Sequence, residues 1–441
     1  MPPNTKIIVL DDDPTGCQTV HSCLLLMQWN VETIRSALLD RAPLFFILTN
    51  TRGMGPDQAA ALVLDVCRNI RTALDQLRAE GISIRALFVS RSDSTLRGHY
   101  PIETDIMAAE LGPFDAHFLV PAFFEGGRIT RDSHHYVMVE GAPVPAHETE
   151  FARDAVFGYR HSYLPDYVEE KTKGRIRADD VIRFTLADLG AGTEARLRGL
   201  SGNACCVVDA VQQSDLDRFS ETVLHAVDEG KRFLFRSAAS LLTSLAHLPP
   251  QPVPAWAMSS YALAATGIII VGSHVRKTTL QLAALLAEPN VRGIEVNVDL
   301  CQGNHGPAQR QTLQQEIAAA RRDGKTAVIY TSRTERQFAD SAQRLAFGAA
   351  VSAFLMDIIR DLPADVGFLI SKGGITSNDT LSTGLNLKTC EVLGQILPGC
   401  SMIRCPEDHP RHPNMPVIIF PGNVGDANAL KVVFQRIAGL V

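Results

Sequence analysis

The chain has 441 residues, 46% hydrophobic and 20% charged, with a formal net charge of −6. That composition fits a globular protein with sizeable cores in two or three domains, at ~150 residues per domain. The mild acidity argues against a nucleic-acid or anionic-membrane surface as partner, while local arginine clusters could still take a small anion. The nine cysteines show no CxxC pair and no ligand-like spacing with histidine, which fits thiols in a reducing compartment. No secretory signal precedes the first strand, and the longest apolar stretch, near 261–272, is too short to span a bilayer, so the expected location is cytoplasmic.

The first strand is predicted at 6–10, a short β-branched run of the kind buried in a parallel sheet. It is followed at once by Asp11, Asp12, Asp13, Pro14, Thr15 and Gly16. Ligands of open α/β sheets bind at the carboxyl ends of strands, and three adjacent carboxylates there call for a cationic neighbour or a proton-transfer role. An ordinary turn with solvated acids is the plainer alternative.

Further strands are predicted at 44–48, 85–89, 117–120, 204–208 and 232–235, separated by amphipathic stretches such as 57–80, which Gly81 would stop. The stretch from Gly141 to about Asp180 breaks this rhythm and reads as a lid or an excursion from the sheet. Prolines 249, 250, 252 and 254 form an extended connector. Beyond it, strands are predicted at 267–271, 293–298, 326–330, 367–370 and 416–420. The expected architecture is α/β: two α/β domains, 1–250 and 260–441, with mainly parallel sheets and an inter-domain cleft. The apolar stretch 346–359 reads as a core helix, with a homo-oligomer surface as the alternative.

Each early strand ends in a polar burst, and parallel strands bring those bursts to one edge. After the second come Thr49, Asn50, Thr51 and Arg52; after the third, Arg91, Ser92, Asp93, Ser94, Thr95, Leu96, Arg97, Gly98 and His99; after the fourth, Glu125, Gly126, Gly127 and Arg128. Arg91, Arg97 and Arg128 have the planar fork that suits a carboxylate. Asp93, Ser92, Ser94, Thr95 and Asn50 suit hydroxyls. The set points to a small polyhydroxylated acid, against the alternative that the arginines only neutralise the acids as internal pairs. His134 and His135 read as loop-orienting or hydroxyl-contacting groups rather than metal ligands.

The second half carries three glycine-bearing loops between a strand and a helix: Gly272-Ser273, Ser371-Lys372-Gly373-Gly374-Ile375-Thr376, and Pro421-Gly422-Asn423-Val424-Gly425-Asp426. None matches the P-loop or the dinucleotide fingerprint. Together they offer backbone N–H groups and helix N-termini to phosphates.

These runs, in this order from about 6 to 438, and with them the stretch 388–399, resemble the four-carbon acid sugar kinase family. The resemblance implies an N-terminal sugar-acid domain and a C-terminal nucleotide domain, ATP with Mg²⁺ as cofactors, and transfer of phosphate to a terminal hydroxyl of threonate, erythronate or related keto acids. It carries nucleotide contacts onto Ser273, Gly373, Gly374, Ile375, Thr376, Gly422 and Asn423. It carries substrate contacts onto Asp11, Arg91, Asp93, Ser94 and Arg97; the reading of the loops adds Asp12, Asp13, Asn50, Ser92 and Arg128 to the substrate set and makes Asp11 and Asp93 the catalytic candidates. Many members read DDLTGA where this chain has Asp12-Asp13-Pro14-Thr15-Gly16-Cys17, and many have lysine near Arg91 or Ser92. The variant form resembles a branch linked to 3-oxo-isoapionate.

Two other functions compete. Asp11-x-Asp13-x-Thr15 after an apolar strand also fits a haloacid-dehalogenase-type phosphatase with Asp11 as nucleophile and Thr49 as its second motif. That reading lacks an acid pair at a later strand end and leaves the glycine loops unused. A non-enzymatic sugar-acid sensor would call for an attached signalling or DNA-binding segment, and none is visible.

Overall fold

A computed structural model describes residues 5–190, 192–302, 306–333, 336–338, 340–422 and 424–441. It divides into two compact units, Met1–Pro250 and Gln251–Val441.

The first unit contains β1 (Thr5–Asp11), β2 (Cys23–Leu26), α1 (Val31–Leu39), β3 (Leu44–Leu48), α2 (Pro56–Ala79), β4 (Arg85–Arg91), α3 (Ile102–Leu111) and β5 (Ala116–Val120). It continues with β6 (Arg128–Arg131), β7 (His134–Val139), β8 (Ala142–Pro145), α4 (Leu164–Lys171), β9 (Ile182–Phe184), α5 (Thr193–Gly199), β10 (Ala204–Val208), α6 (Gln213–Asp228), β11 (Phe233–Ser237) and α7 (Ser240–Ala246). Its main sheet runs β2-β3-β1-β4-β11-β5-β10-β9 with every pairing parallel. β1 and β3 are buried along their whole length, which is why they read as continuous apolar runs. The predicted helix at 57–80 is α2. Pro56 opens it, Asp57 lies in its first turn, and Ala59, Val63, Val66, Cys67, Ile70, Ala73 and Leu77 form its buried stripe. Gly81 follows with φ +83°, the left-handed conformation that ends a helix.

After β1 the chain adds β2 and β3 on one side, then crosses to place β4 on the other. β1 therefore lies at the switch in strand order, where the carboxyl ends of neighbouring strands open a crevice. Asp11 is in register with both Leu48 and Arg91.

The second unit contains β12 (Ile268–Val271), α8 (Arg276–Leu286), β13 (Val291–Val296), α9 (Gly306–Arg322), β14 (Thr326–Thr331), α10 (Ser341–Arg360), β15 (Leu369–Lys372), α11 (Gly374–Asp379), β16 (Thr389–Leu397), β17 (Cys400–Arg404), β18 (Pro416–Phe420) and α12 (Ala429–Ile437). Strands run β13-β14-β12-β15-β18 in parallel, extended by an antiparallel β17 and β16. The fold is thus α/β with mostly parallel sheets. In this unit the antiparallel pairings are β16–β17 and β17–β18; the 388–399 stretch forms β16 and the turn into β17. Among the described residues, no helix is long and apolar enough to cross a membrane.

The 141–180 stretch is an excursion that packs tightly on the site. Its first strand, β8, joins the preceding β6 and β7 in a small antiparallel sheet, and α4 adds Leu164, Tyr167 and Val168 to a cluster with Leu96, Tyr100, Val137 and Tyr159. Tyr159 donates to the carbonyl of Thr95 and Tyr167 to that of Leu96, both at 2.8 Å. The excursion therefore buttresses the loop after β4 rather than forming a loose lid.

Candidate active site

The loop after β1 folds back over its own strand end. Asp11 is fully buried, and a Cβ on Gly16 would lie 2.0 Å from its Oδ1, so only glycine lets the turn close over this carboxylate. The Asp11 carbonyl accepts N–H bonds from Thr49 (2.9 Å) and Asn50 (3.2 Å), which joins the β1 and β3 ends. Asn50 makes the turn in left-handed conformation, φ 51°. Burial pushes the Asp11 carboxyl up to about 8, opposed by Arg91 and reinforced by Asp12 and Asp13. The carboxyl is enclosed beneath the turn that closes at Gly16 rather than open at the strand end, which does not favour it as an attacking nucleophile.

Arg52 organises the cluster, and the sequence reading did not single it out. Its guanidinium bonds Asp12 through Nη2 (2.7 Å) and Nε (3.3 Å), and lies 3.6 Å from both Asp13 and Asp93. It thus ties the loops after β1, β3 and β4 together. Arg91 is 3.6 Å from carboxylate oxygens of both Asp11 and Asp12. Arg97 donates through Nε to Asp93 (2.7 Å), and its Nη1 lies 3.6 Å from Asp154.

The expected carboxylate clamp of Arg91 and Arg97 is therefore already engaged with internal acids. Although burial alone would raise it, Arg52 and Arg97, together with the Thr95 hydroxyl, hold the Asp93 carboxyl well below the ordinary range. Ser92 and Ser94 are buried in the same loop.

Arg128 differs from Arg52, Arg91 and Arg97 in having no ion pair among the described residues. Its Nη1 donates to the Gly126 carbonyl, and its Nε, like that of Arg91, is buried without a partner. Its guanidinium lies 5.9 Å from the centre of the Phe151 ring, and that of Arg97 lies 5.1 Å from the same ring. Burial depresses its pKa, as expected for a desolvated cation short of anions.

A second ring of residues supports this cluster: Arg236 and Glu103, which carry no signal in the sequence, and Thr51, Gly98 and His135, the last of them expected to orient a loop. Arg236, at the end of β11, pairs with Glu103 of α3 and donates to Ser90 Oγ (2.6 Å). Thr51 donates to Glu103 at 2.6 Å. A Cβ on Gly98, at φ 119°, would come within 2.7 Å of Arg236 and 3.1 Å of Asp12. His135 is fully buried, with Nε2 2.7 Å from the Ser94 carbonyl and Nδ1 3.0 Å from Thr130 Oγ1. Burial lowers its pKa to about 4, so it is neutral and fixes the loop.

In the second unit the strand ends meet as closely. A Cβ on Gly272 would lie 2.3 Å from Thr376 Oγ1; one on Gly373, at φ 120°, would lie 3.3 Å from that oxygen and 3.4 Å from Ser273 Cβ. Ser273, Gly373 and Thr376 are thus brought together, with Gly374 and Ile375 opening α11 beside them. Ile375 is 77% exposed. Gly422 follows β18, and a Cβ there would meet nothing within 4 Å. Asn423 lies outside the described residues.

Three residues missed in the sequence shape these loops. Gln281 of α8, fully buried, donates to the carbonyls of Val424 (2.9 Å) and Asp426 (2.8 Å). Arg333 donates to the carbonyls of Ser273 (2.7 Å) and Thr331 (2.8 Å). Lys372, fully buried at the end of β15, donates to those of Pro421 and Gly422. Among the described residues, no group of three or more His, Cys, Asp or Glu is placed to hold a metal ion.

Comparison with known proteins agrees with this two-part arrangement. Residues 7–245 match a sugar-binding N-terminal domain, and residues 268–430 match a nucleotide-binding C-terminal domain. A D-erythronate kinase of Heliobacterium modesticaldum (strain ATCC 51547 / Ice1) is 30% identical over 227 residues, which is 48% of this chain and 47% of that protein. The chain therefore aligns with about half the length of that relative.

Two solved structures share the fold at low identity. One, from Salmonella typhimurium LT2 and carrying a provisional tRNA-synthase label, has a TM-score of 0.70 at 20% identity and covers 98% of both chains. The other, Haemophilus influenzae protein HI1011, has a TM-score of 0.64 at 18% identity, with 98% of this chain and 100% of that one covered. The two domain matches, in this order and over most of the sequence, show that the chain belongs to the four-carbon acid sugar kinase family.

Proposed function

We propose that the protein is an ATP-dependent kinase that phosphorylates a terminal hydroxyl of a small four-carbon or branched sugar acid. Erythronate, threonate, a 3-oxo-tetronate and 3-oxo-isoapionate are the candidate substrates. The observation that carries the reading is the succession, in one chain, of a sugar-binding match over 7–245 and a nucleotide-binding match over 268–430. The D-erythronate kinase similarity supports the acid as substrate class.

In this reading Arg128 takes the substrate carboxylate. Among the arginines of these loops it is the one with no ion pair among the described residues, and its buried, unpartnered Nε would gain from a charge-assisted bond. Asp93, held ionised by Arg52 and Arg97, orients the attacking hydroxyl, with Ser92, Ser94 and Asn50 close by for the others. Loose phosphoryl-transfer transition states place little demand on base strength, because the hydroxyl proton leaves late. Asp11 keeps its proton at neutral pH and supports the turn beneath. Asp12 and Asp13 hold Arg52.

The Gly272–Ser273, Gly373–Thr376 and Gly422 loops fit the phosphates of ATP, because glycine lets backbone N–H groups approach an anion closely. Mg²⁺, which usually keeps several waters and bridges phosphates with few protein ligands, would neutralise charge developing on the transferred group. The side chain of Ile375, exposed beside these loops, offers an apolar surface to the nucleoside.

The test is incubation of the purified protein with ATP, Mg²⁺ and a panel of tetronates and branched acids, with ADP and the phosphorylated acid measured together. At least one acid should yield both in equal amounts. Absence of ADP with every acid, together with phosphate release from a phosphorylated acid, would refute the proposal.

A further inference from the structure

Lys372 is one of the largest side chains fully enclosed in the molecule. Among the described residues it has no carboxylate in ion-pair range. Its Nζ donates to the Pro421 carbonyl at 2.5 Å and to the Gly422 carbonyl at 3.3 Å, and lies 4.2 Å from the centre of the Phe420 ring. The ionisable groups that act on it are Cys400 of β17 and Lys277 of α8; burial pushes its pKa down to about 7. A buried lysine is costly to keep unless its head group does something specific.

The peptide geometry indicates what that is. In a trans peptide the carbonyl of one residue and the N–H of the next point in opposite directions. With the Pro421 carbonyl drawn inward to Lys372, the Gly422 N–H is turned outward. No described residue accepts from it, and a Cβ on Gly422 would meet open space. The Phe420 carbonyl, one residue earlier, is taken by Gly373 N–H at 2.9 Å. That bond fixes the strand end from which the loop departs and joins it to the loop after β15.

We propose that Lys372 is a positioning residue of the nucleotide site: by holding the Pro421 and Gly422 carbonyls inward, it presents the Gly422 N–H to a nucleotide phosphate. This rests on the ATP-binding reading above and names the part within it that shapes the third glycine loop. Lys372 itself touches no phosphate in this scheme. Its effect passes through the backbone, so it should be specific to the phosphates and leave the nucleoside's contacts intact.

The test is the dissociation constant of the full-length protein for ATP and, by competition, for adenosine, in the unsubstituted protein and in Lys372→Met and Lys372→Arg. Lys372→Met should weaken ATP at least tenfold, with adenosine and the sugar acid changed less than twofold. Lys372→Arg, which keeps donors for the two carbonyls, should recover part of the loss. Because a buried substitution can unfold the loop, Gly422→Pro is the second variant. It deletes the N–H with Lys372 in place, and should show the same phosphate-specific loss.

Equal losses for ATP and adenosine in Lys372→Met, or ATP binding within twofold of the unsubstituted protein in either Lys372→Met or Gly422→Pro, would overturn the proposal and leave the kinase reading standing. Failure of the unsubstituted protein to bind ATP would overturn both.

Discussion

Replacing Asp11 with asparagine tests the electrostatics of the β1 strand end. The Asp11 carboxyl is fully enclosed, its Oδ2 has no hydrogen-bond partner, and its pKa rises from 3.8 to about 8. Between those values the folded protein carries a proton at Asp11 that the unfolded chain has released. Stability from this group is fully present below about 3.8 and is lost as pH rises through about 8. One extra bound proton corresponds to about 1.4 kcal/mol per pH unit. From pH 5.5 to 7.5 the native protein should lose about 2.7 kcal/mol through Asp11, on the same arithmetic. An asparagine at this position imitates the protonated acid and does not titrate, so Asp11→Asn should gain that amount relative to the native protein across the interval.

Urea unfolding at pH 5.5, 6.5 and 7.5 would measure the difference. Trp29 would report on the N-terminal unit in a Trp256→Phe background, where the replaced ring is 71% exposed. Other titrating groups largely cancel between the two proteins. A difference that stays constant across the three pH values would refute the assignment of a raised pKa to Asp11. That constant difference is the outcome expected if Arg91, 3.6 Å away, keeps the carboxylate charged throughout the interval.

Arg52→Met should lower stability by about 3–5 kcal/mol at pH 7, because it removes the cation hydrogen-bonded to buried Asp12 and leaves Asp13 and Asp93 with fewer counter-charges; thermal unfolding reads this, and a loss under about 1 kcal/mol, typical of an exposed pair, would contradict it. Arg128→Ala should raise KM for the acid about tenfold or more, from loss of a charge-assisted bond of about 1.5–3 kcal/mol, while KM for ATP stays put. An equal rise in both constants would deny Arg128 the carboxylate. Gly16→Ala drives a methyl into the Asp11 carboxylate and should destabilise by about 1–3 kcal/mol. Pairing it with Asp11→Ala should recover most of that, and simple additivity in the double-mutant cycle would place the strain elsewhere.

Much of the fold could be read from local pattern. Strands such as 44–48, 204–208 and 416–420 are uninterrupted apolar runs because both faces of a parallel sheet are covered. The missed elements lack that signature. β2 has four residues and β9 three, too short for a period to register. The β16–β17 hairpin carries Gly394 at φ 129° and two register shifts, which break the alternation a strand is recognised by. Arg52 looked like one polar residue in a burst, because its partners come from loops far apart in sequence. Lys372 stood within a quoted motif, yet only packing reveals that its ammonium is enclosed and bonded to the loop after β18.

The arginines illustrate why residue type and proximity mislead about roles. Arg91 and Arg97 looked like the clamp because their planar forks suit a carboxylate. Folding puts Arg97 against Asp93 and sets Arg91 within ion-pair range of Asp11 and Asp12, so both face internal acids before any ligand arrives. A guanidinium already bonded to an internal carboxylate would have to break that bond to take a substrate, leaving a buried acid behind. Arg128 carries no such cost. It stands at the start of β6, outside the ion pairs that hold Arg52, Arg91 and Arg97, and its buried Nε has no partner. The acids around Arg52 are paired internally, while Arg128 stands outside those pairs. The carboxylate role proposed for Arg128 predicts that exchanging it for lysine, which keeps the charge and loses the planar fork, preserves acid binding only in part.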